Sequence, residues 1–119
     1  MNYIIFDLEF NQGFDRVNNK TISNAKCPFE IIQIGAVKLD FELNIIDTFT
    51  SNIKSEIYKD IHPFVKKMTG ITNGDLKNAR NFKDVYIDFL NFIDSKDTIF
   101  GTWGTNDLKE LHRNINFYK

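Results

Sequence analysis

The chain has 119 residues, 42% of them hydrophobic, with twelve Phe and a formal net charge of −1. That fits one domain with a real core, leaves no room for two, and excludes a disordered composition. The near-neutral balance does not advertise nucleic-acid binding, although a metal-holding site is itself acidic and local basic patches can offset it.

Residues 2–10 (NYIIFDLEF) predict a first strand, β-branched and aromatic in its first half. Residues 11–29 are polar and broken by Gly13 and Pro28, which predicts a long exposed loop of the kind that is often functional. EIIQIGAVKLD (30–40) predicts a second strand and NIIDTFTSNI (44–53) a third. The turn between them is too short for a crossover, so the first three strands are expected to form an antiparallel meander. HPFVKKMTG (62–70) predicts a short helix, with Pro63 in its first turn and Gly70 as its C-terminal cap. ITNGDLKNA adds a second helical turn. Phe82, Val85, Tyr86, Phe89, Leu90 and Ile93 recur at helical spacing and predict a long amphipathic helix capped by Asn81. DTIFGTW (97–103) predicts a fourth strand. Thr105 then caps a last helix with Leu108, Leu111 and Ile115 facing inward.

The expected product is an α/β layer: three antiparallel strands, a fourth strand parallel to its neighbour, and flanking helices. The single Cys27 cannot form an internal disulfide and suits a reducing, cytoplasmic setting. No basic stretch leads into a long apolar run, so no signal peptide is expected. No apolar segment approaches the ~20 residues that span a bilayer.

Three acids stand out. Asp7 and Glu9 lie two apart on the first strand and therefore share a face. Two such carboxylates repel each other, and hiding them is costly unless something positive meets them. Asp107 follows the fourth strand, in the first turn of the last helix. If the first and fourth strands are neighbours, all three acids converge on one patch. Gathered carboxylates bind hard cations such as Mg²⁺ and Mn²⁺, and two ions ~4 Å apart can serve phosphodiester hydrolysis. The bland alternative is that one acid caps a loop and the other faces solvent. Similarly, Lys66 and Lys67 can meet phosphates or form a solvated helix face. His62 reads as structural and His112 as exposed.

FDLEF (6–10), EIIQIGAVKLD (30–40), the I-x-P of Ile61–Pro63, MTGIT (68–72) and TWGTNDLKEL (102–111) together resemble the DnaQ-like, or DEDD-type, 3′→5′ exonuclease superfamily. The similarity is greatest to its RNA 3′-end-trimming branch. The resemblance implies a ribonuclease H-like fold, single-stranded 3′ ends of RNA or DNA as partners, no membrane, and two Mg²⁺ or Mn²⁺ ions. It implies metal-ligand and catalytic roles for Asp7, Glu9 and Asp107. It also implies substrate contacts from Phe10, from the turn Met68, Thr69, Gly70 and Ile71, and from Trp103, Gly104 and Asn106. Met68 and Ile71 are equally readable as core, and Trp103 as half core and half pocket wall.

The family pattern carries a third motif with a His or Tyr and a fourth Asp. After Leu111 only HRNINFYK remains, and His112 lies too close to Asp107 to serve. The chain therefore resembles the N-terminal two-thirds of such a domain (1–119). Weak or no turnover by these residues alone is expected, with exposed apolar sheet surface and a tendency to dimerise or to take up a completing segment. A non-catalytic nucleic-acid or protein-binding module on the same scaffold is the alternative.

Overall fold

The computed structural model describes residues 1–94, 97–102 and 106–118. In chain order its elements are β1 (Asn2–Asn11), β2 (Gly13–Asp15), β3 (Lys20–Ile22), β4 (Glu30–Leu39), β5 (Ile45–Asn52), α1 (Pro63–Thr69), α2 (Asn73–Lys77), α3 (Phe82–Ile93), β6 (Thr98–Gly101) and α4 (Asn106–Phe117). Among the described residues the main sheet has the order β5-β4-β1-β6. β1 pairs antiparallel with β4, and β4 with β5, giving the expected meander. β6, reached through three helices, runs parallel to β1, pairing Asn2–Ile5 with Thr98–Gly101.

One face of this sheet is apolar. Ile4, Phe6 and Leu8 of β1 and Ile34 and Ala36 of β4 pack with Phe82, Val85 and Phe89 of α3. Side chains two apart on a strand share a face, and the heptad-like spacing on α3 supplies the matching stripe. Opposite Glu9 and Phe10, β4 carries a bulge: Gln33 pairs with Glu9 and Ile31 with Phe10, leaving Ile32 extra. The bulge sends Ile31 into the main core and Ile32 into a second one, with Ile61, Val65, Ile71 and Leu76. That second cluster seats α1 and α2 against the opposite face of the sheet, near Glu9.

Two buried polar residues fix the segment leading into α1. The Asn11 amide donates to the carbonyls of Tyr58 and Asp60, and its oxygen accepts the His62 N–H at 3.0 Å. The Glu30 carboxylate, only 1% exposed, accepts the N–H groups of Glu56, Ile57 and Tyr58 and the hydroxyls of Ser55 and Tyr118. Among the described residues no cation pairs with it, and the donors that surround it make its burial tolerable.

Several expectations need correction. The stretch 11–29 is not a structureless loop, since it folds into the β2–β3 hairpin. This hairpin docks on the start of α1: Thr21 bonds His62 at 2.8 Å and Phe14 meets the His62 ring edge-on. Its turn is closed by Asp15 capping Val17 and Asn18, a local signal. On α4 the buried positions are Glu110 and Asn114, while Leu108 is 51% exposed and Leu111 and Ile115 only join the margin of the core. Asn114 is buried because it makes backbone-like bonds, accepting the Ile31 N–H and donating to the carbonyls of Phe29 and Glu110. Leu90 of α3 is 46% exposed, outside the buried stripe. Trp103, Gly104 and the Thr105 cap lie outside the described residues.

Candidate active site

The alternation that buries Phe6 and Leu8 turns Asp7 and Glu9 to the other face, where Asp7 is exposed and Glu9 half-buried. Asp107 arrives from the first turn of α4, which follows β6. The parallel ladder stops at the pair Ile5–Gly101. Beyond it the Asp107 carboxylate accepts the Leu8 N–H at 3.3 Å and the Thr102 hydroxyl at 3.2 Å. Asp107 is thus fastened to the residue that lies between the other two acids.

Glu9 feels the other two acids. Burial first, then the charge of Asp7, then that of Asp107, hold the Glu9 carboxyl above its ordinary range. Among the described residues no three Asp, Glu, His or Cys side chains are gathered tightly enough to form a metal-ligand cluster. The donor set nonetheless fits a hard divalent cation: all its atoms are carboxylate oxygens, and Glu9 bears a repulsion that a cation would relieve. Two hydrogen bonds already occupy Asp107.

Beside Glu9 lies a hollow of about 210 Å³, lined by Glu9, Phe10, Phe29, Phe64, Met68 and Thr69, with Gln12 and Val65. It joins the end of β1 to α1. Of the predicted contact residues, Phe10, Met68 and Thr69 line it. Gly70 does not; its φ of 74° is left-handed, and its N–H caps α1 on the Lys66 carbonyl. Ile71 is 6% exposed in the second core and does not line it either. Asn106 lines a neighbouring hollow with Asp107. Met68, readable as core, is 68% exposed.

Phe29 and Phe64 were not singled out. Phe64 and Met68 are four apart and share a helix face other than that of buried Val65. That spacing was a usable signal, whereas Phe29, in the connection before β4, carried none. A larger hollow of about 550 Å³ runs between Lys54, Lys59 and Lys77, but none of the three acids lines it.

Neither histidine stands with the acids. His62 caps α1, its Nδ1 accepting the Phe64 N–H, and His112 is exposed and bonds Asn116.

A family model described as Exonuclease (RNase_T) matches residues 4–111. The chain is 33% identical over 90 residues to the PolC-type DNA polymerase III of Caldanaerobacter subterraneus subsp. tengcongensis, covering 76% of this chain and 5% of that protein. It is 30% identical over 89 residues to the probable 3′-5′ exonuclease KapD of Bacillus subtilis strain 168, covering 74% of this chain and 42% of that one. Its fold resembles a 3′-exonuclease solved for 3′-end recognition of a histone mRNA stem-loop, with a TM-score of 0.79 and 24% identity, covering 98% of this chain and 41% of that one. The chain thus spans less than half of each of these three proteins. The matched span takes in all three acids and the whole α1–α3 crossover, and on it the chain belongs to the Exonuclease family, within the DnaQ-like 3′→5′ exonuclease superfamily.

Proposed function

We propose that this chain supplies the acidic half of a metal-dependent 3′→5′ exonuclease site acting on single-stranded RNA or DNA ends. The observation that supports the reading is the hydrogen bond from the Leu8 N–H, between Asp7 and Glu9, to Asp107, with Glu9 lining an aromatic hollow. In this reading Asp7, Glu9 and Asp107 hold Mg²⁺ or Mn²⁺. Such ions supply Lewis-acid stabilisation of phosphoryl oxygens and a more acidic bound water. The residues themselves position the end of the strand: Phe10, Phe29 and Phe64 offer stacking surfaces, and Met68 and Thr69 close the wall. Gly70 and Ile71 act at most through the shape of that wall, and Asn106 belongs to the neighbouring hollow.

Both histidines are engaged elsewhere, so among the described residues neither stands as a general base beside the acids, and doing without such a base costs about 10²–10⁴-fold in rate. That observation favours the second reading, a binding module without turnover. Trimming of 5′-labelled single strands with Mn²⁺ separates the two. Slow, Asp7-dependent shortening from the 3′ end supports the exonuclease reading, and binding with no shortening at all supports the module. The open sheet face, with Ile5 39% and Ile99 49% exposed, supports self-association, which sedimentation at rising concentration tests.

A further inference from the structure

A second hollow, of about 400 Å³, lies across the Phe10–Phe29 pair from the first. It is lined by Phe10, Phe29, Asn106, Asp107, Glu110 and Arg113, with Lys109. The two phenylalanines meet edge to face with centroids 6.2 Å apart and form a wall common to both hollows. Glu9 lines the first hollow and Asp107 the second. A dinucleotide end with one base in each hollow therefore carries its linking phosphate past the acids.

The second hollow has its own polar group. Glu110 is 6% exposed, and its Oε1 accepts from Arg113 at 2.8 Å. Its Oε2 is buried and has no hydrogen-bond partner among the described residues. Leaving a buried carboxylate oxygen unpaired is costly, and native proteins seldom keep one without a use. α4 is amphipathic enough to have placed an aliphatic residue here, yet it presents a carboxylate beside two aromatic rings.

We propose that this hollow is a base-reading subsite for the nucleotide next to the 3′ terminus, with the Glu110 carboxylate accepting an exocyclic amino N–H. Adenine, cytosine and guanine carry such a group; thymine and uracil do not. The aromatic wall supplies sequence-tolerant stacking, and Arg113 holds the carboxylate in place. This inference rests on the exonuclease reading of the site and adds a preference to it.

The test is binding, measured by fluorescence anisotropy in EDTA so that turnover plays no part. The probes are 5′-fluorescein dodecamers of dT and of U, each with A, C, G or the host base at the penultimate position. The wild-type chain is expected to bind the amino-bearing probes about five- to tenfold more tightly than the host strands. E110Q keeps the size of the side chain, removes its charge and places an amide N–H₂ donor there, and is expected to flatten that preference. Equal wild-type affinity for all penultimate bases, with strand binding intact, overturns the Glu110 assignment and leaves the exonuclease reading standing. The same preference in E110Q as in wild type also overturns it. No binding of any single strand, in EDTA and again with Mn²⁺ present, overturns the exonuclease reading itself.

Discussion

Asp107 accepts the backbone N–H of Leu8 at 3.3 Å, joining the start of α4 to the strand position flanked by Asp7 and Glu9. The contact spans 99 residues of sequence, so one carboxylate both closes the fold at this edge and adds charge to the patch. These two duties are separable. Asp107→Asn keeps an acceptor for Leu8 and is expected to change unfolding free energy by less than about 1 kcal/mol in urea titrations. Asp107→Ala removes the acceptor and is expected to cost about 1–2 kcal/mol. Both should weaken Mn²⁺ binding, so a variant that folds normally and still loses metal identifies the charge as the functional part.

Glu30 is a structural counterpart, buried and ringed by donors from the segment 55–58 and from Tyr118. Removing it orphans several N–H groups at once. Glu30→Ala is expected to cost on the order of 3–5 kcal/mol, a large share of a small domain's stability. Tyr118→Phe removes one donor and should cost about 1–2 kcal/mol. Chemical denaturation measures both, and equal losses would show that the backbone donors carry little of the effect.

Most of the framework was legible because it follows local rules. The apolar alternation of IIFDLEF, the short 40–44 turn and the stripe from Phe82 to Ile93 require only periodicity and chain reach. The hairpin at 13–22 escaped because its strands are three residues each and the side chains of β3 are exposed. It forms by docking on Tyr58 and His62, a tertiary contact that no local pattern announces. On α4 the expected inward stripe held for Leu111 and Ile115, which pack against the core, and not for exposed Leu108. Glu110 and Asn114 are buried through specific partners, and hydropathy alone assigns them to solvent. At the site, the acids were visible as residues, and their meeting depended on β6 lying beside β1. Phe29 became part of the hollow only through the fold.

Phe64 is 58% exposed on the rim of the first hollow. A large apolar residue so placed contributes little to the core. Phe64→Ala is expected to leave the melting temperature within a few degrees, equivalent to less than about 1 kcal/mol. The same change should weaken single-strand binding by about 1–3 kcal/mol if a base stacks there. Anisotropy and thermal scans on the same sample report the two effects independently.

Cys27 is fully buried at the approach to β4. Burial, and secondarily the nearby charges of Glu30 and Glu110, push its thiol up to about 11 from an ordinary 9.0. The sign follows from proton binding. Between those two values the unfolded thiol ionises while the folded one stays protonated, so stability falls as pH rises through that window. At pH 8 the native thiol should react with iodoacetamide far more slowly than the thiol of urea-unfolded chain. Equal rates would show that the site opens readily.

The central claim is that Asp7, Glu9 and Asp107 act together on a divalent cation, and Mn²⁺ titration followed by calorimetry tests it without requiring turnover. Saturable binding that Asp7→Ala abolishes and Glu9→Gln weakens is the predicted result. No binding by the folded chain, or binding unchanged in both variants, would contradict it.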